Sequence, residues 1–111
     1  MTPGLRTHKA ASLRVAIAEG LPSEMWNVTR EILDVHSTNP RKGHATALLH
    51  EVCVEADNWW MTLIVQVRPF DDGMTLEQLA RWYSRFGFNV VQESPCLMAR
   101  SPQPPKIERI H

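Results

Sequence analysis

The stretch from Ile32 to Ala56, ILDVHSTNPRKGHATALLHEVCVEA, decides how the chain folds. Ala45, Leu48, Leu49, Val52, Cys53 and Ala56 recur at the i, i+3, i+4, i+7, i+8, i+11 spacing of an amphipathic helix. His44, His50, Glu51 and Glu55 fall on its other side, and the pattern runs to about Asp57. Upstream, Ile32-Leu33-Asp34-Val35 reads as the end of a strand. The junction His36-Ser37-Thr38-Asn39-Pro40-Arg41-Lys42-Gly43-His44-Ala45-Thr46 joins this strand to the start of the helix. Such a helix start carries unpaired amides and partial positive charge, the local chemistry that binds phosphate. Gly43 allows close approach, Ala45 keeps the first turn bare, and Arg41 and Lys42 add charge. Neither Gly-x-x-x-x-Gly-Lys-Ser/Thr nor Gly-x-Gly-x-x-Gly occurs.

Outward from this stretch the elements alternate. Leu13, Val15 and Ile17 alternate with Arg14, Ala16 and Ala18, a strand with one buried face. Residues 19–23 form a turn. Met25 to His36 has residues that a helix could use, but its β-branched content favours an extended segment. Within it, alternation puts Glu31, Leu33 and Val35 on one face and Asp34 on the other. Met61 to Val67 is nearly continuous in apolar residues, as expected of a strand covered on both faces. After a loop at 68–73, Thr75 to Gln78 spells a capping box. Leu76, Leu79, Ala80, Tyr83 and Phe86 supply the stripe of a second helix, and Gly87 sits where its C-terminal glycine belongs. Phe88 to Gln92 and Cys96 to Arg100 are short strands separated by Ser94-Pro95. The order predicts an α/β layered domain with a parallel strand pair around the first helix.

Composition bounds the function. The chain has 111 residues, 43% of them hydrophobic, with 12 basic and 12 acidic residues and no formal net charge. That length suits one domain, and the neutrality argues against a dedicated nucleic-acid binder. The longest uncharged apolar stretch, Asn58 to Val67, is about half the length of a membrane span. No signal-peptide block follows Arg6 and Lys9, and two cysteines, Cys53 and Cys96, are thin grounds for secretion. The expectation is a cytoplasmic protein with reduced thiols. Residues 1–11 are expected to fray, 12–100 to form the single domain, and 101–111, with Pro102, Pro104 and Pro105, to extend as a tail.

Two motifs in order carry a resemblance. Pro40 to Leu49, with Gly43 and Ala45 at its small positions, resembles the acyl-CoA-binding motif of the GNAT acyltransferase superfamily, Gln/Arg-x-x-Gly-x-Gly/Ala. Trp82-Tyr83-Ser84-Arg85-Phe86-Gly87-Phe88 resembles the same family's C-terminal signature, a Tyr four residues before Gly-Phe. The likeness spans about Val28 to Arg100 and is strongest for small phage- and prophage-encoded members. It implies a mixed, mostly antiparallel sheet with a splayed parallel pair, helices on both faces, and an abbreviated N-terminal part.

The resemblance also implies roles. The CoA diphosphate would lie on the backbone of Arg41, Lys42, Gly43, His44, Ala45 and Thr46, and the pantetheine beside Val35, His36 and Ser37. Val35 would donate its amide to the thioester carbonyl, and Tyr83 would protonate the departing thiolate. The acceptor amine would lose its proton to Glu31, with Asp34 next in line. The implied activity is acetyl-CoA-dependent transfer of an acetyl group to a primary amine by direct attack, without a metal. Pro40 departs from the motif, where Gln or Arg is usual. Too few residues precede Val28 for the helices that usually wall the acceptor site, leaving that site open or completed by a second chain. With four tryptophans in a small domain, this points to a homodimer.

Other readings compete with this one. A non-catalytic acyl-CoA-binding or regulatory module would use the same fold. A DNA-associated protein would rely on Arg81, Arg85, Arg41 and Lys42, against the acidic Asp71-Asp72. His50 and Cys53 stand one turn apart without a second ligand pair, so an exposed His beside a buried thiol is expected. Trp59-Trp60 reads as core or rim packing, with an interface left open.

Overall fold

In a computed structural model, which describes residues 1–38, 43–68 and 74–104, the chain folds around a six-stranded mixed sheet. The strands are β1 (Gly4–His8), β2 (Ala11–Ile17), β3 (Thr29–Ser37), β4 (Thr62–Gln66), β5 (Asn89–Glu93) and β6 (Cys96–Arg100). The helices are α1 (His44–Asn58) and α2 (Leu76–Ser84), with a single 3-10 turn at Ser23–Met25. The sheet order is β1-β2-β3-β4-β6-β5. Among the described residues only β3 and β4 pair in parallel; their neighbours are antiparallel.

Cross-strand partners share a face, so the register shows where the core lies. Val15, Ile32, Val65 and Met98 lie in line across β2, β3, β4 and β6, and all four are buried. Both helices cover this face. The α1 residues Leu48, Leu49, Val52, Cys53 and Ala56 and the α2 residues Leu79 and Tyr83 join those strands in one core. The next row, Ala16, Glu31, Ile64 and Ala99, points the other way and is only half-buried. The mixed sheet with its splayed parallel pair is as expected, but the helices are not on both faces: they share one. For the same reason β4 is not covered on both sides. Leu63 and Val65 are buried, whereas Thr62, Ile64 and Gln66 are half-exposed.

The N-terminus also differs from expectation. Residues 4–8 do not fray but pair with β2 from Gly4↔Val15 to His8↔Ala11. The side chain of Arg6 adds an ion pair to Glu55 on α1 at 3.1 Å. Hydrogen bonding across the ladder compensates for a segment with no apolar alternation of its own.

A second correction falls inside β3. Asp34 has φ +53, and between Ser12↔His36 and Arg14↔Leu33 the strand carries one residue more than its partner. This is a β-bulge, and it shifts the side-chain phase by one. Val35 therefore joins Ile32 on the helix face, both buried, instead of sharing a face with Glu31.

Both cysteines are free and buried. Among the described residues, no helix is long and apolar enough to cross a membrane, and no cluster of three or more His, Cys, Asp or Glu could hold a metal. His50 is exposed and Cys53 buried, so these two share no site.

Candidate active site between the diverging strands

The β3–β4 pairing runs from Thr29↔Thr62 to Ile32↔Val65 and then stops, while β3 continues to Ser37. The strands part, and a slot of about 100 Å³ opens between them. From the helix side Ile32, Val35, Val65 and Tyr83 line it; from the open side come Glu31, Leu33, Gln66 and Arg68, with Asp34 at the bulge. The slot thus passes between the two faces of the sheet. It brings together Tyr83, Glu31 and Val35, three residues the sequence singled out.

Tyr83 is placed by α2. Thr75 caps the helix through a reciprocal pair with Gln78, at 3.1 and 2.9 Å, as the capping-box pattern predicts. Leu79 and Tyr83 form its buried edge. Gly87 has φ +92 and its amide bonds the Ser84 carbonyl, turning the chain sharply enough for Phe88 to pack against the Tyr83 ring at 5.5 Å. A Cβ at Gly87 would meet the Gln103 side chain. Tyr83 is only 2% exposed, and burial pushes its phenol above the ordinary value of 10. It stays protonated at neutral pH and can donate a proton or hydrogen bond, but cannot act as a base. The residue lines the slot, and its hydroxyl makes no hydrogen bond among the described residues.

The α1 start lies nearby. Gly43 is the N-cap residue with φ +72, supplies no side-chain cap, and has nothing within 4 Å of where a Cβ would stand. The first intrahelical bond is Ala47 to Gly43, leaving the amides of His44, Ala45 and Thr46 unpaired among the described residues, with no acidic side chain in the first turn. His44 contributes the one buried side-chain polar atom that lacks a partner there, its Nδ1. Open backbone and amides unpaired among the described residues suit an anionic group. Asn39, Pro40, Arg41 and Lys42 lie outside the described residues, so the two expected cationic side chains are not placed. His36 is exposed and Ser37 half-buried at the end of β3.

Glu31 is half-buried on the open face, and Asp34 is exposed and pairs loosely with Arg14 at 3.9 Å. Sequence reasoning passed over three site neighbours. Gln66 and Arg68 join the slot wall and bond each other at 3.0 Å. Trp82, quoted only as part of a motif, donates from Nε1 to Thr46 Oγ1 at 3.0 Å and ties α2 to the α1 start. No local spacing signals a contact between residues 36 positions apart.

No family model matches the chain, and no curated protein matches it. Two solved structures share its fold. The crystal structure of the anti-CRISPR protein AcrVA5 superposes with TM-score 0.72 at 19% identity, over 91% of this chain and all (100%) of that one. The second, a protein assigned as a phosphinothricin N-acetyltransferase, superposes with TM-score 0.59 at 18% identity, over 85% of this chain and 64% of that one. The chain has the GNAT-type fold.

Proposed function

We propose that the chain is an acetyl-CoA-dependent N-acetyltransferase that transfers an acetyl group to a primary amine by direct attack. One observation carries the reading: Tyr83 and Glu31 reach the same slot from opposite faces of the sheet, at the divergence of β3 and β4. The fold likeness to an N-acetyltransferase supports it.

The amides of His44, Ala45 and Thr46, unpaired among the described residues, with Gly43 open before them, would hold the CoA diphosphate. Arg41 and Lys42 add positive charge, and Val35, His36 and Ser37 flank the pantetheine. Bound acetyl-CoA supplies the activated acyl carbon as a thioester. Val35 donates its amide to the carbonyl oxygen as charge develops there. Glu31 accepts the proton of the amine as the C–N bond forms. Tyr83 gives its proton to the sulfur as the C–S bond breaks. A primary amine reaches Glu31 from the open face, where among the described residues no helix stands over the slot.

The anti-CRISPR neighbour supports the phage-related part of the reading. The exposed Trp59 and Trp60, 63% and 60% accessible, support a homodimer, which sedentation by analytical ultracentrifugation would detect as a mass twice that of one chain. The activity is tested by thermal melting with acetyl-CoA and a panel of primary amines. Acetyl-CoA at millimolar concentration should raise Tm, since a ligand that binds only the native state stabilises it. An unmoved transition would remove the acetyl-CoA reading, and binding without transfer to any amine would leave a non-catalytic acyl-CoA module.

A further inference from the structure

The bond between Trp82 and Thr46 has a polarity that can be read without seeing hydrogens. An indole N–H only donates, whereas a hydroxyl has one proton to give and lone pairs to accept with. Trp82 Nε1 therefore donates and Thr46 Oγ1 accepts, at 3.0 Å. The Thr46 proton is left to donate elsewhere, and the hydroxyl donates no hydrogen bond among the described residues. Thr46 is the third residue of α1, in the same turn whose three leading amides are unpaired among the described residues. Its hydroxyl is thus a fourth donor at the helix start, with its sense set from outside the helix.

Trp82 has a second contact. It precedes Tyr83 on α2, and its ring meets those of Tyr83 and Phe86 edge-on at 4.9 and 5.4 Å. A shift of Trp82 would therefore be felt by the side chain that faces the slot.

We propose that Trp82 is a positioning residue that presets the Thr46 hydroxyl as a phosphate donor and couples occupancy of the α1 start to the placement of Tyr83. The proposal rests on the acetyl-CoA reading and specifies how its two halves communicate.

The test is calorimetric titration of CoA into the wild type, T46V, T46S, W82F and the W82F/T46V double variant, with melting curves to confirm folding. T46V should weaken CoA binding about tenfold, the range for losing a hydrogen bond to a charged group. W82F keeps an aromatic ring but removes the N–H, and should weaken binding several-fold. The double variant should bind no more weakly than T46V alone, because both changes break one unit. T46S keeps the hydroxyl and should restore the affinity. The indole proton of Trp82 should shift on CoA addition in a ¹⁵N–¹H spectrum of the wild type and of T46S, and kcat of W82F at saturating acetyl-CoA should fall several-fold. Additive losses, or a T46V variant that binds CoA as the wild type does, would overturn the coupling while leaving the acetyl-CoA reading intact. A wild type that does not bind CoA at all would sink both.

Discussion

Arg100 grips Asp57 with two nitrogens, Nη1 on Oδ1 at 2.7 Å and Nη2 on Oδ2 at 3.0 Å, and so fastens the last strand to the end of α1. Its Nε reaches the Phe86 carbonyl just beyond α2, and the Gln103 amide adds a bond to Asp57 at 2.8 Å. Three elements and the C-terminal segment meet at one buried arginine, 4% exposed. Removing one partner leaves the other charged in a poorly solvated place. Arg100→Ala should therefore cost about 2–4 kcal/mol in urea unfolding, well above the loss of an exposed pair such as Arg14–Asp34.

The same pair predicts a pH response. Burial alone would raise the Asp57 carboxyl, but the Arg100 guanidinium and the Gln103 amide outweigh it and hold the group below its ordinary value of 3.8. A carboxyl lowered on folding contributes stability above its unfolded value and loses it as pH falls through the folded one. Stability should decline from about pH 4 downward. Asp57→Asn should be less stable at neutral pH and flatter across that acid window, as thermal melts from pH 2 to 7 would show.

At the slot, Tyr83→Phe removes one oxygen and keeps the packing against Phe88. We expect kcat to fall roughly 10²-fold, the lower range for loss of a positioned proton donor, with acetyl-CoA affinity unchanged by calorimetry. Because burial keeps this phenol protonated, the wild-type rate profile should show no alkaline break from Tyr83 up to pH 10. Equal rates for the variant and the wild type would assign the proton to another group.

Glu31 and Asp34 are separable by the bulge. Glu31→Gln should lower kcat roughly 10²-fold, the lower range for loss of a positioned base, whereas Asp34→Asn should leave kcat close to the wild-type value. Asp34 is exposed and already paired with Arg14. The reverse pattern, in single-turnover rates, would reassign the base.

Cys53 tests the core. Desolvation pushes its thiol up to about 11 despite the nearby Arg100, so at pH 8 about one molecule in a thousand carries the reactive thiolate. In a Cys96→Ser background, Cys53 should react with a disulfide reagent only slowly in the folded protein and fast in 6 M guanidinium. Prompt labelling of the folded protein would contradict a sealed core there.

What the sequence made legible was local. The α1 stripe, the Thr75–Gln78 capping box and the Gly87 turn are each written within a few neighbouring residues, because a helix closes its bonds with near neighbours. β1 was not legible, since Gly4–His8 has no apolar alternation and becomes a strand only through β2. The Asp34 bulge was equally hidden: one residue at positive φ leaves little trace in composition, yet it reverses which side of β3 Val35 takes. Tyr83, Glu31 and Val35 were named as candidates, but their common slot depends on where the β3–β4 pairing ends. The Arg100–Asp57 and Trp82–Thr46 contacts join residues 43 and 36 positions apart, beyond the reach of periodicity.

The slot is bounded by residues from both sides of the sheet, and this has a kinetic meaning. Two molecules that approach from opposite sides do not share a doorway, so neither has to leave before the other arrives. Under the proposed acetyl transfer, both substrates are gathered before reaction, and double-reciprocal plots should intersect instead of running parallel. The sheet acts as a partition with one window, and Tyr83 and Glu31 stand at its two sills.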